Sequence, residues 1–462
     1  MASKEEEQAR QQQLDNSADP VVRAAAERAG VDPRIARALL REQYDQIDPL
    51  VPQLLAAVRD RGGAECWHKH SSFLSHLTGT WAIAALWGLP REVQLCALLH
   101  SAYSNSFVNL ALFSPDEKGR KVVREMAGDE VERWTWLFCR VPRNELIYDR
   151  LVDPICYADG AAVTTTTSSA PDYSPDFPES ITVADIRDGS PIKLDAYEVG
   201  VLLALTILDF SEQWHSWQDG MFATLEDQGG RMRYSGKRAH HLWPGPSKPG
   251  LYLHTLSLVG RLVVAANAKL EQLGDPRRVP LPKPWASCSY VVSREAQLQG
   301  RDLYWRAVTE LFDAGAAEFQ SAEEAADGDA AKAAALWIKG EEREREAESV
   351  LRQCAKLLPC VGEPRVVLAQ LLLQRAVRLS STGDGKGDGK SDAATVVDAC
   401  WQEAGELAVE GLSLLLTWCT PWDKRFPFGA WCAWARVCAG AAKKREWPRN
   451  DEPLKVINLG LV

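Results

Sequence analysis

No stretch of the chain approaches the roughly 18 consecutive apolar residues that a membrane-spanning helix requires, so no transmembrane segment is expected. Basic charge is also in short supply. Lysine and arginine number 53 against 63 aspartates and glutamates, which leaves a net charge of −10 and a pI near 5.5. That balance disfavours a general nucleic-acid binder, which would need a basic face. The eleven cysteines include no CxxC pair and no even framework. Cys96, Cys354, Cys419, Cys432 and Cys438 fall inside helical patterns, where a free thiol behaves as a small hydrophobe. A reduced cytoplasmic or nuclear setting is therefore expected. The N-terminal MASKEEEQARQQQ is charged and contains acids, which argues against a signal or transit peptide. Alternating strand patterns are absent too, except for a short candidate within 278–292. The class expected is all-α.

What is present is ordinary globular composition, 46% hydrophobic and 25% charged over 462 residues. That length accommodates two or three domains. Residues 1–19 are polar and read as disordered. Residues 20–60 read as two or three helices, punctuated by Asp-Pro starts and Gly stops, that prop the next domain. Residues 61–275 form one helical domain with a low-complexity insertion at 159–180. Inside it, helices are expected over Thr78 to Trp87, Arg91 to Leu99 and 195–217. Ser114, Pro115, Asp116 and Glu117 read as a capping box opening another helix. A Pro-rich connector covers 276–299. From 300 to 450 the helix–turn–helix pattern resembles a tetratricopeptide-like array without meeting that repeat's full consensus, and 380–392 reads as a flexible loop in it.

Histidine is scarce, and four of the eight lie in residues 68–104. His76 shares a helical face with Thr80, Ile83 and Trp87. His100 shares one with Val93, Cys96 and Ala97. Asp209, far along the chain, shares one with Val201, Leu205 and Leu208. Each ionisable group thus sits on a stripe that should face inward. One such group is ordinary as a satisfied core residue. Three on three apolar helices call for a common partner, because a carboxylate buried alone costs several kcal/mol. Each other, or a shared metal ion, would serve.

The run SHLTGTWAIAALWGLPREVQLCALLHS, followed later by LTILDFSEQWHSW, resembles the HD-domain superfamily, and within it the alarmone-hydrolase branch. The resemblance covers about residues 65–220. It points more narrowly to HD-like proteins in which the pair reads His-Ser and a helical C-terminus follows. It implies His76, His100 and Asp209 as ligands of a divalent metal, Mn, Fe or Zn. It also implies a phosphohydrolase acting on a nucleotide-like or other small phosphorylated substrate, although the superfamily contains iron oxygenases as well. Lys69 and His70 match the basic turn that touches substrate phosphate, and Arg120 or Arg124 would offset further charge. Glu212, one turn beyond Asp209, is expected to act as a base or to orient a ligand. The signature Asp is missing, because position 101 is Ser101. A hydroxyl is a poor ligand for a hard cation. The domain is therefore expected either to keep a mononuclear site or to have lost its metal. In the latter case it becomes an adaptor that binds protein partners through the C-terminal helices.

Other motifs carry less. GDGKGDGKS at 383–391 lacks the first glycine of a phosphate loop, because position 384 is Asp, and no strand precedes it. Arg231, Arg233, Lys237, Arg238, His240 and His241 form a basic cluster read as a solvated loop or as an anion-binding rim. His215 is a weak further ligand candidate. The aromatic stretch 418–434 reads as a buried cap of the helical array or as a peptide groove.

Overall fold

The structure is a computed structural model, and it describes residues 19–68, 71–106, 109–156, 176–221, 248–283, 292–382 and 392–447. The basic cluster of 231–241, the phosphate-loop-like GDGKGDGKS and most of the insertion at 159–180 lie outside these residues. The described residues are overwhelmingly helical, so the class is all-α. None of their helices is long and apolar enough to cross a membrane. The chain divides into two compact units. One is Gly30–Arg294 with Thr417–Thr420. The other is Met1–Ala29, Glu295–Leu416 and Pro421–Val462.

The helices within 20–60 divide between the units. Helix α1 (Pro20–Ala29) belongs to the second unit, because its buried face of Val22, Ala25, Ala26 and Ala29 is used there. Helices α2 (Pro33–Leu40) and α3 (Val51–Asp60) belong to the first. A short hairpin of β1 (Trp67–His68) and β2 (Ser71–Ser72) follows and leads directly into α4 (Phe73–Leu86). Ser72 caps that helix by accepting from the Ser75 N–H at 3.1 Å, so α4 begins a turn and a half earlier than its apolar pattern suggests. Gly88, at φ +68°, lets the chain reverse into α5 (Arg91–Leu99). Helix α6 (Glu117–Ala127) is capped by Asp116, whose carboxylate accepts from Gly119 N at 2.9 Å. The cap expected at Ser114 is therefore corrected by two residues. Asp116 is the residue whose oxygen reaches a free N–H of the first turn. Helix α7 (Asp129–Arg140) and a π-helical segment, Glu145–Cys156, come next.

Strands β3 (Ser180–Ala184) and β4 (Pro191–Asp195) pair antiparallel, with Ile181 opposite Leu194 and Val183 opposite Ile192. These four side chains are buried. Each strand shows only two apolar positions, too few for a period of two to stand out from the sequence. No strand occurs among the described residues of 278–292.

Helix α8 (Ala196–Gln213) is the axis of this unit. Asp195 and Glu198 close its start with a reciprocal capping box. All but two of its residues are buried, which explains its near-continuous apolar sequence. The short α9 (Ser216–Met221) precedes α10 (Leu253–Gln272), which packs along α8. Gly200 permits that approach, since a Cβ there would stand 3.3 Å from the Ala266 Cβ. Helices α4 and α5 pack on each other and on α8, and α5 also packs on α7.

The second unit contains α11 (Arg294–Arg306), which runs through a π-helical turn into α12 (Phe312–Ala325). Then come α13 (Ala330–Leu357), α14 (Glu363–Thr382), α15 (Asp392–Trp418) and α16 (Phe428–Lys444). Helix α12 packs on α13, α13 on α14, α14 on α16, and α16 on α1. In the aromatic stretch, Trp422 and Trp431 are buried around Asp423, whose carbonyl accepts from the Trp431 indole at 2.9 Å. These two tryptophans serve as core.

Candidate metal centre

Three helices of the first unit deliver one polar group each to a common point. His76 lies one turn into α4, His100 is the C-cap of α5, and Asp209 lies in the last turn of α8. All three are buried, and one ligand atom from each lies within 4.8 Å of the others. His76 Nε2 is 3.2 Å from His100 Nε2 and 3.4 Å from Asp209 Oδ1. His100 Nε2 is 3.8 Å from the same oxygen. The structure thus brings together residues 24 and 133 positions apart in sequence (76 to 100, and 76 to 209).

The far nitrogens decide what the near ones can do. His100 Nδ1 is 2.7 Å from the carbonyl of Ala97. A carbonyl only accepts, so that nitrogen carries the proton and Nε2 presents a lone pair. His76 Nδ1 bonds the Glu212 carboxylate, which places a proton on that nitrogen. Gly79 makes this contact possible, because a Cβ there would stand 2.7 Å from the Glu212 Cγ. Two ring nitrogens and a carboxylate oxygen therefore converge, and they call for one positive centre between them, either a proton on His76 Nε2 or a cation in its place. The electrostatics agree. Burial holds His100 neutral, with its pKa lowered to about 3 against the pull of Asp209. Burial opposes a charge on His76 too, but Glu212 and Asp209 overcome it and raise the pKa to about 9, so the pocket draws positive charge to that ring. Asp209 is itself buried, yet Arg143 and the histidines hold its carboxyl well below the usual range. Two imidazoles and one carboxylate are a donor set for Zn²⁺, Fe²⁺ or Mn²⁺, so the residues present fit a divalent ion.

Ser101 is buried but takes no part in the cluster. Its hydroxyl accepts from Asn105 Nδ2 at 2.7 Å. Asn105 Oδ1 in turn accepts from Arg143 Nη2 at 3.1 Å, and Arg143 Nη1 donates to Asp209 Oδ2 at 2.7 Å. Arg143 is completely buried, with its guanidinium over the Phe138 ring at 4.3 Å. On the other side, Gln213 Nε2 donates to Asp209 Oδ1, and Gln213 Oε1 is 3.1 Å from His68 Nε2. The His68 ring lies 4.9 Å from that of His76.

Sequence reasoning misses Arg143, Asn105, Gln213 and His68 as members of the site. Asn105 and Gln213 each stand four residues after a site position, a helical spacing that could flag them. Arg143 follows Pro142 in a connector and gives no periodic signal. Glu212 is found holding His76. Arg120 and Arg124 are used elsewhere. Arg120 makes a fork of bonds to buried Glu132 at 2.7 and 3.0 Å and lies over Trp136, while Arg124 pairs with Glu117 and Glu132. Lys69 and His70 lie outside the described residues. His215 does not belong to the cluster.

Among known proteins, residues 57–143 match the model of a domain of unknown function (DUF6817). The match includes His76 and His100 and ends at Arg143, and Asp209 and Glu212 lie beyond it. No curated protein and no solved structure matches the chain.

Proposed function

We propose that the first unit binds a divalent transition metal through His76, His100 and Asp209 and works as an HD-like metal-dependent phosphohydrolase on a small phosphorylated substrate. The observation that carries this reading is the convergence of both Nε2 atoms on Asp209 Oδ1, with both Nδ1 atoms already bonded on the far side, so that a metal ion would take the place of the proton that His76 otherwise holds there. When bound, the ion supplies Lewis acidity toward a phosphoryl oxygen and acidifies water. The protein's own groups do the positioning. Glu212 holds the His76 ring, Ala97 holds the His100 ring, and Arg143 with Gln213 holds the Asp209 carboxylate. Lys69 and His70, which stand in sequence between β1 and β2, supply positive charge for the substrate phosphate in this reading.

Elemental analysis of the reconstituted full-length chain tests the site, with wild type beside His100→Ala and Asp209→Ala. Stoichiometric Zn, Fe or Mn in wild type and its loss in both variants is the expected result. An absence of metal in folded wild type would overturn the site and leave the adaptor reading. The loaded protein is then offered nucleoside polyphosphates and simple phosphomonoesters. Phosphate or pyrophosphate release by wild type but not by His100→Ala is expected, and no turnover of any of them would overturn the reaction class.

A further inference from the structure

We infer that Arg143 is a built-in cation that restricts the centre to a single metal ion, standing in for the second ion that a dinuclear site would hold. The inference rests on the metal reading above and adds a residue and a stoichiometry to it. A two-metal site needs carboxylate oxygens that bridge ions about 3.5–4 Å apart. Asp209 is the one carboxylate in the ligand set. Its Oδ1 faces the two imidazoles, while its Oδ2 is held by Arg143 Nη1 at 2.7 Å. A second ion sharing Asp209 would have to displace a completely buried guanidinium.

That guanidinium is not loosely placed. It lies over Phe138 and is bonded to Asn105, which is bonded to Ser101. Ser101 directly follows the ligand His100. A carboxylate at 101 would compete for Arg143 and Asn105, and the hydroxyl that stands there instead completes a chain of neutral bonds ending on the arginine.

The test is manganese stoichiometry of the intact chain, read by elemental analysis and by electron paramagnetic resonance. Neither readout depends on turnover. Wild type is expected to hold one Mn²⁺ per chain with an uncoupled signal. Arg143→Lys keeps the charge and should also hold one. The double variant Ser101→Asp with Arg143→Gln returns a carboxylate and removes the guanidinium, and two exchange-coupled ions are expected. A folded double variant that stays at one ion overturns the inference, and so does wild type holding two coupled ions. Should the double variant not fold, Ser101→Asp alone decides. With Arg143 in place it should remain at one ion, and a second ion there overturns the role of Arg143. Wild type that holds no manganese, zinc or iron overturns the underlying site reading and this inference with it, an outcome distinct from two ions.

Discussion

Asp209 and Asp423 are both buried carboxylates met by an arginine, one in each unit, yet the groups around them are of opposite kind. Around Asp423 the carboxylate oxygens face donors. Tyr304 donates its hydroxyl at 2.6 Å, and Arg425 approaches both oxygens. The neighbouring Glu363 accepts the backbone N–H groups of Trp422 and Asp423 at 2.5 and 3.1 Å. That cluster is complete in itself, with donors and acceptors matched inside a Trp-lined core. Around Asp209 the Arg143 and Gln213 donors arrive from outside, and toward the centre the oxygen meets two imidazole nitrogens. Both carboxylates are buried and each meets an arginine. What separates the two is what stands at the middle: hydroxyl, guanidinium and backbone donors close the Asp423 cluster, whereas the Asp209 cluster converges on two imidazole nitrogens.

The sharpest way to break this contrast is to remove each aspartate's charge in turn. Asp209→Asn and Asp423→Asn should each cost about 3–5 kcal/mol of stability, the usual penalty for breaking a buried ion pair. Denaturant unfolding measures both. Only the Asp209 site should respond to metal. Saturating Zn²⁺ should raise the melting temperature of wild type and of Asp423→Asn but not of Asp209→Asn. Equal responses would erase the distinction.

The next effect is the pH dependence that Glu363 contributes in the second unit. Burial raises the Glu363 carboxyl from an ordinary 4.5 to about 7, against the pull of the N–H groups it accepts. The unfolded chain ionises first, so stability is fully present below about pH 4.5 and is lost as pH rises through about 7. The loss is on the order of 3 kcal/mol. Denaturant midpoints of wild type and Glu363→Gln, compared at pH 5 and pH 7.5, check it. The variant should be the flatter of the two, and parallel pH profiles would refute the assignment.

The smallest effect sharpens the metal side. Glu212→Ala removes the partner of His76 Nδ1 and leaves the three proposed ligands in place. Metal affinity should fall about 10–100-fold, as it does when a carboxylate behind a histidine ligand is lost. Calorimetric titration with Zn²⁺ would show this, and an unchanged affinity would mean that the Glu212 contact does not tune the site.

Much of the centre is legible in the linear chain. His76, His100 and Asp209 stand out because each interrupts an apolar helical stripe, and burial of such stripes is what drives the helices together. Glu212 is legible as one turn from Asp209. Arg120 and Arg124 show the limit of such reading. A cation one turn from another on a helix looks the same in sequence whether it meets substrate or, as here, a buried Glu132. The hairpin of β3 and β4 escapes notice for a related reason, since two apolar residues per strand carry too little periodicity to compete with neighbouring helical patterns.

The all-α class, most of the helix positions in the first unit and the three residues that meet at its centre follow from the linear chain, because periodic burial is a local property. Tertiary packing alone set Arg143 against Asp209, Ser101 against Asn105, and the Nε2 atoms of the two histidines toward each other. Those relations depend on side-chain direction across distant segments, and no spacing along the chain encodes which way a hydrogen bond points.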